Sequence, residues 1–159
     1  MLRKLILEDF IEDIDYALIG IHCSIEDYRL AYLLNKHLGL NLKRKSVDIE
    51  YKDTSCYSIF EWEDEKQLTV WNLISNISKI EVNDAVDVTS LFVNEEKFTK
   101  TNYLIPEYKK VNFILKISDD PNQHLEKQAL NKILEIPQVV TAFGIDANKL
   151  KTTDQLIFN

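Results

Sequence analysis

The chain has 159 residues, of which 45% are hydrophobic and 28% charged, and its net charge is −7. This composition is typical of a soluble globular protein, and the length predicts a single domain over residues 1–159. Three glycines and three prolines leave no stretch that resembles a flexible linker to a second domain. The acidic balance disfavours nucleic-acid binding, because phosphates repel a negative surface.

Targeting signals are not evident in the sequence. Its apolar runs are far shorter than the ~20 residues that a membrane-spanning helix needs. The apolar stretch near the N-terminus ends at once in Glu8 and Asp9, whereas a secretory signal needs a longer apolar core and a small-residue cleavage site. We therefore expect a cytoplasmic protein without membrane contact, in which Cys23 and Cys56 stay reduced.

The first predicted elements are a strand and a helix. The continuous apolar run at 17–21 is typical of an inner strand covered on both faces. Ser24 follows as a candidate N-cap, and residues 26–37 carry apolar and tyrosine side chains over a wide arc. We expect this helix to be buried on more than one side and to end at Gly39.

The middle of the chain predicts strands. Residues 57–62 are aromatic and β-branched, and a polar turn at 63–66 separates them from residues 67–77, a pattern that predicts a hairpin. A further strand is expected at 86–93, and the polar residues 94–103 are expected to form an exposed loop.

The last third predicts a strand, a helix and a second strand. Residues 111–117 read as a strand, and Asp120 is placed to cap the helix that follows. Pro137 ends that helix, and residues 139–143 return as a strand. A parallel crossover is the expected connection between these two strands.

The two strand–helix units, at 17–38 and 113–134, align without a gap at an offset of 96, and residues 34–36 and 130–132 are both Leu-Asn-Lys. An internal repeat is one hypothesis, although short helical patterns also coincide by chance. The predicted fold class is α+β: a two-layer sandwich of a mainly antiparallel sheet and two principal helices. A ferredoxin-like arrangement with an inserted hairpin is one form that it could take.

Candidate chemistry is concentrated at the end of the first strand. His22 and Cys23 precede a helix, where functional groups are frequent and where a thiol pKa can be lowered. Glu26 and Arg29 form the neighbouring charged patch. The alternative interpretation is structural, with His22 at the boundary of the core, Cys23 buried, and Glu26 and Arg29 as a surface ion pair.

Motifs for known chemistries are missing from the sequence. It contains no G-x-S-x-G, H-E-x-x-H or C-x-x-C motif, and three glycines cannot build a phosphate-binding loop. We expect neither a cofactor nor a metal site. Phe60 and Trp62, which share one face of a predicted strand, are candidates for an interaction surface, although such aromatics more often belong to the core.

The segment Ile-Pro-Glu-Tyr-Lys-Lys-Val-Asn-Phe at 105–113 resembles the signature of the uncharacterised bacterial IPExxxVDY family. Residues 18–32 also resemble the N-terminal block of that family. Asn112 and Phe113 stand where the motif has Asp and Tyr. The resemblance implies no mechanism, but it adds Glu107 to the candidate patch. Pro106 restricts the residue before it to extended geometry, so we expect a turn that leads into the next strand.

Three functional hypotheses follow from the sequence. The preferred one is a non-catalytic interaction or adaptor domain that binds a protein partner or itself, for example as a homodimer through a sheet edge or the aromatic hairpin. The second is a regulatory domain that binds a small ligand near His22 and Glu26. The third is a cofactor-independent enzyme that uses Cys23 or His22.

Overall fold

The computed structural model describes residues 16–51, 55–83, 97–118 and 124–150. Its two α-helices are α1, Asp27–Leu38, and α2, His124–Leu134, and short 3₁₀ helices lie at Pro106–Tyr108 and Ala147–Lys149. The described strands, in chain order, are β1 Tyr16–Cys23, β2 Lys43–Arg44, β3 Ile49–Glu50, β4 Cys56–Tyr57, β5 Ile59–Asp64, β6 Thr69–Ser75, β7 Ile77–Asn83, β8 Lys97–Tyr103, β9 Phe113–Ser118 and β10 Val139–Ile145.

Within the described ranges, the main sheet has six strands in the order β10-β1-β9-β6-β5-β2. Every pair of neighbours in it is antiparallel. Strands β9 and β10 lie on either side of β1 and run in the same direction, so α2 forms the predicted parallel crossover. The order β10-β1-β9-β6, with the two helices, is that of a ferredoxin-like fold. The predicted α+β class is confirmed.

The internal repeat has a counterpart in the register of the central strands. Across the β1–β9 pair, Ile19 lies opposite Leu115. Leu115 is also the residue that the offset of 96 assigns to Ile19. In an antiparallel pair, a residue that faces its own equivalent marks a two-fold axis. The two strand–helix units are therefore related by a local two-fold axis at this pair, which supports the repeat hypothesis.

The sequence predicts the C-terminal cap of α1 correctly but not its N-terminal cap. Gly39 caps the C-terminus with φ of 70°, and its N–H donates to the carbonyl of Asn35 at 3.0 Å. At the other end Glu26, not Ser24, is the N-cap residue, and its side chain makes no capping bond. The prediction for Ser24 is therefore wrong, because the chain bends at Ile25 and the helix begins only at Asp27.

The predicted burial of α1 on several sides is also wrong. Tyr28 and Tyr32 are 61% and 64% exposed, whereas Leu30, Ala31 and Leu34 are buried. The helix presents a single apolar stripe to the sheet. Tyrosines widen the apparent apolar arc in a sequence, but their hydroxyl groups suit an exposed position.

The predicted aromatic hairpin is confirmed as β5–β6, in which Trp62 lies opposite Trp71. The loop expected at 94–103 is wrong in part, because 97–103 is strand β8 and pairs with β7. The polar sequence of β8 does not indicate a strand. Strands β7 and β8 form a two-stranded sheet that is separate from the main sheet. The strand expected at 86–93 and the cap at Asp120 lie outside the described residues.

Each face of the main sheet carries its own apolar core. The helix face packs α1 and α2 against alternate strand residues such as Ile19, Ile21 and Leu115. The opposite face, which we call the loop face, is covered by irregular segments and short strands. Its core includes Leu18 and Ile114 from the sheet and Leu104 and Ile105 from the segment before β9.

Candidate functional site

His22 and Cys23 lie on opposite faces of the sheet. Cys23 belongs to the helix-face core with Ile19 and Ile21, whereas His22 lines a cleft on the loop face. Successive residues of a strand point to opposite faces. Because His22 and Cys23 are adjacent in the sequence of one strand, this alternation already indicates that they do not belong to one site.

Cys23 is a buried thiol. It is 2% exposed, and burial raises the pKa of its side chain, against a smaller lowering by a backbone hydrogen bond from Ile25. The expected lowering of the thiol pKa by the helix N-terminus is therefore wrong in direction, because loss of solvation outweighs the favourable contact. This placement removes the main support for Cys23 as a nucleophile.

The ring of His22 is held by Asn112. The Oδ1 atom of Asn112 lies 2.7 Å from Nδ1 of His22 and accepts the backbone N–H of Cys23 at 3.0 Å. Because the second bond identifies Oδ1 as the acceptor, Nδ1 of His22 must carry the proton of the first. In the neutral ring, Nε2 is then an acceptor, and no described residue forms a hydrogen bond with it.

Asn76 fixes the segment that faces His22. It is fully buried, its Nδ2 donates to the carbonyls of Tyr108 and Val111 at 2.9 and 2.8 Å, and its Oδ1 accepts the N–H of Ile105 at 2.7 Å. Three buried backbone groups of an irregular segment are thereby satisfied by one side chain. The predicted turn is confirmed as the 3₁₀ helix at Pro106–Tyr108, preceded by Ile105 in extended geometry.

The His22 cleft, as we call it, lies between this segment and strand β10 and has a volume of about 660 Å³. Tyr108 and Phe143 form part of its wall, with their ring centroids 5.8 Å apart. It is lined by residues that include His22, Glu107, Tyr108, Lys110, Thr141 and Phe143. Of the predicted patch, the structure therefore brings His22 and Glu107 together.

The other members of the predicted patch lie elsewhere. Glu26 and Arg29 form an ion pair of 3.6 Å on the surface of α1, where both side chains are more than half exposed. They do not line the His22 cleft. Their arrangement matches the structural interpretation made from the sequence, a surface pair one helical turn apart.

Phe60 and Trp62, the two aromatic candidates, also lie in different environments. Phe60 is buried in the helix-face core, so it is not presented to a partner. Trp62 is half-buried and lines a groove of about 200 Å³ beside Gly39 at the C-terminal end of α1. Its ring centroid lies 6.5 Å from that of Trp71. Trp62 alone remains accessible for the proposed interaction role.

Sequence reasoning missed several residues that shape the cleft. Asn76 and Thr141 carry no local signal, since one is a single polar residue after a strand and the other a polar residue within one. Asn112 and Lys110 lie inside the recognised motif-like segment, and their position just before β9 could have drawn attention to them. The sequence predicts Phe143 only as a residue of a strand, because its position beside Tyr108 depends on the tertiary fold.

Comparison with protein-family models finds no match to this chain, and comparisons with curated proteins and with solved structures find none either. The resemblance of residues 105–113 to the IPExxxVDY signature therefore stays a prediction. Neither of the two described helices is long and apolar enough to cross a lipid bilayer. Within the described ranges, no group of three His, Cys, Asp or Glu side chains could hold a metal ion.

Proposed function

We propose that the protein is a non-catalytic interaction domain that self-associates through the outer edge of strand β10. The observation that carries this proposal is the character of that edge. Among the residues that the structure describes, strand β10 ends the six-stranded sheet, and its seven residues, Val-Val-Thr-Ala-Phe-Gly-Ile, include no charge and no proline. An exposed, uncharged edge strand offers unpaired backbone groups to another chain.

Exposed apolar side chains accompany this edge. Val140 is 69% exposed, Phe143 is 37% exposed, and Leu134 at the end of α2 is 50% exposed. These three lie on β10 or on the helix that leads into it. A partner strand would cover them while pairing with the backbone, so apolar burial and hydrogen bonding would both favour association.

A second copy of the chain is the partner that this edge fits. Antiparallel pairing of β10 with β10 of another copy would join the two sheets into one and would use the same surface on both chains. The regular stretch available is 141–145, because the register with β1 shifts between His22 and Cys23 and leaves Val140 as a bulge. Five residues make a strand of ordinary length.

The other edge of the sheet supports the choice of β10. Strand β2 is only two residues long, and both Lys43 and Arg44 are exposed. Short, charged strands are a common way to prevent pairing at an edge. One edge is therefore protected and the other is not, which favours a closed dimer over an open chain of copies.

Light scattering coupled to size exclusion tests the proposal over protein concentrations from about 5 to about 500 µM, because dimerisation follows mass action. We expect the mass to rise from one chain to two. Val140→Lys should weaken dimerisation, since it places a charge directly beside the pairing stretch, and lysine on an edge strand disfavours pairing. Val47→Lys is the matched control, because Val47 is 68% exposed and follows β2, the strand at the opposite edge of the sheet; this variant should dimerise as the unchanged chain does.

Hydrogen exchange provides an independent readout of the same edge. Amides of 141–145 should exchange more slowly as the concentration rises, and amides of α1 should not change. A chain that stays monomeric at every concentration, with β10 amides equally exposed throughout, would overturn the proposal. Equal dimerisation of the Val140→Lys and Val47→Lys variants would show that the interface does not include β10.

A further inference from the structure

We infer that the His22 cleft binds a small aromatic carboxylate that also carries a hydroxyl or N–H donor. This inference goes beyond the proposed function, because it concerns a small molecule and a cleft on the loop face, which shares Thr141 and Phe143 with the pairing stretch of β10. The cleft volume, about 660 Å³, lies within the range of small-molecule sites. Three features of the cleft define the chemistry of its ligand: one acceptor, an aromatic wall and a cationic rim.

The acceptor is Nε2 of His22. Asn112 holds the proton on Nδ1, so the neutral ring can accept a hydrogen bond at Nε2 but cannot donate one. Thr141 lies opposite His22 across the β1–β10 pair and lines the same cleft. This polar end of the cleft therefore suits a ligand that donates, such as a phenol or a ring N–H.

The wall is aromatic and apolar. The rings of Tyr108 and Phe143 are tilted by 42° with centroids 5.8 Å apart, and Val111 and Pro106 complete the apolar lining. Gly20 makes room for this wall, because a Cβ atom there would lie only 3.0 Å from the side chain of Val111. A third ring can pack beside the two that are present, in the offset or edge-on arrangements that aromatic groups prefer.

The rim is positively charged. Lys109 and Lys110 both line the cleft, with Glu107 as the one acidic residue of the lining. Lys109 also lies over the ring of Tyr103 at 5.9 Å. In a chain whose net charge is −7, a local excess of positive charge favours a negatively charged group at this place. A carboxylate on the ligand meets that requirement.

The cleft is formed before any ligand arrives. Asn76 binds both ends of the segment that carries Tyr108 and the two lysines. Asn112 joins the same region to β1 through its own N–H, which donates to the carbonyl of Ile21 at 3.0 Å. A preformed site avoids the entropic cost of ordering a loop on binding.

Three related compounds separate these features. 4-Hydroxyphenylacetate carries the ring, the donor and the carboxylate; phenylacetate lacks the donor; and tyrosol, which is 4-hydroxyphenylethanol, lacks the charge. Calorimetric titration of the full chain with each, up to about 10 mM, covers the weak affinities expected of small ligands. We expect 4-hydroxyphenylacetate to bind most tightly and each of the others to bind at least about threefold more weakly, since each loses one polar contact.

A variant of the rim tests the carboxylate directly. Lys110→Gln should weaken 4-hydroxyphenylacetate by about three- to tenfold and leave tyrosol unchanged, because only the charged compound uses the ammonium group. Lys36→Gln is the matched control, since Lys36 is an exposed lysine on α1; it should affect neither compound. Both substitutions are at exposed positions, so folding should be preserved.

Amide NMR spectra locate the binding. Shifts confined to the neighbourhood of His22, Tyr108 and Phe143 would support the inference. It would be overturned by no binding of any of the three compounds at about 10 mM, by equal affinity for the acid and for tyrosol, or by shifts centred on Trp62 instead. Repeating the titration with the Val140→Lys variant separates this result from the state of the dimer, because a cleft within one chain should bind equally well in a monomer.

Discussion

The two faces of the main sheet are covered by different means. On the helix face, α1 and α2 bring apolar stripes to alternate strand residues, and their backbone groups are satisfied within each helix. On the loop face, irregular chain lies against the sheet, and its backbone groups need partners from elsewhere. Asn76 supplies three of them with its side chain. The helix face therefore depends chiefly on apolar packing, and the loop face depends in addition on the buried side chain of Asn76.

The largest expected effect comes from removing that side chain. Asn76→Ala leaves the N–H of Ile105 and the carbonyl of Val111 without this partner, whereas the carbonyl of Tyr108 still accepts the N–H of Val111 at 3.1 Å. We expect the free energy of unfolding to fall by about 2–4 kcal/mol, because each of the two buried groups left unsatisfied costs about 1–3 kcal/mol and water can reach part of the space. Urea unfolding measures this as a lower midpoint.

Asn35 on the other face is the matched comparison. Its side chain bonds both the N–H and the carbonyl of Leu42, at 2.8 and 3.2 Å, but it is only half-buried. Asn35→Ala should cost about 1–2 kcal/mol, since water can replace part of what is lost. Equal losses in the two variants would contradict the distinction between the faces.

The next effect concerns Gly20 on the loop face. A Cβ atom there would lie 3.0 Å from the side chains of both Ile145 and Val111. Gly20→Ala should lower the free energy of unfolding by about 1–3 kcal/mol through overpacking, and it should narrow the His22 cleft. Thermal unfolding gives the stability, and the affinity for 4-hydroxyphenylacetate should fall as well. A variant as stable as the unchanged chain would show that the loop-face core can shift to accept a methyl group.

A smaller effect, visible only at high pH, arises on the helix face. Burial raises the pKa of the Cys23 thiol above its ordinary value of 9.0. Above pH 9.0 the unfolded chain loses this proton while the folded chain keeps it, so stability must fall as the pH rises towards the raised value. Below pH 9.0 the thiol is protonated in both states and makes no difference.

Cys23→Ala should remove this part of the pH dependence, as measured by urea midpoints between about pH 8 and pH 10.5. Alkylation provides a second check. Cys56, which is exposed, should react with iodoacetamide in the native protein, and Cys23, which is buried, should react only after unfolding. Rapid labelling of native Cys23 would mean that the helix face opens readily.

The smallest effect is expected at the outer surface of α1. Glu26→Gln breaks the ion pair with Arg29, whose side chains are more than half exposed. Such surface pairs contribute little, so the change in the free energy of unfolding should stay below about 0.5 kcal/mol. A loss of several times that size would show that Glu26 has a role beyond the ion pair, for instance as the N-cap residue of α1.

The contrast between the faces also explains what could be predicted from the sequence. The helix-face elements carry continuous apolar runs and helical spacing, so β1, α1, β9 and α2 were all anticipated, and even the register of Ile19 with Leu115 follows the offset of 96. The loop face has no such period. Asn76 acts on residues about 30 positions away, and nothing in its neighbourhood in the sequence indicates that.

The candidate site was predictable to the same limited degree. His22 was found because it ends an apolar strand, and Glu107 because it lies in a recognisable segment. Their convergence required the pairing of β1 with β10 and the position of the 105–111 segment on the sheet. The opposite orientations of His22 and Cys23 can be deduced from strand alternation alone.

The central position of β1 has a consequence for how the chain is made. Its partner residues lie far along the chain, since Ile19 pairs with Leu115 in β9 and with Gly144 in β10. At about 5–20 residues per second, a ribosome would need about 5–20 s after adding Ile19 to reach β9. Throughout that interval this apolar strand, most of which is buried in the folded protein, has neither neighbour. We therefore expect folding to begin late in synthesis. Until then, chaperones that bind apolar segments are expected to bind nascent β1.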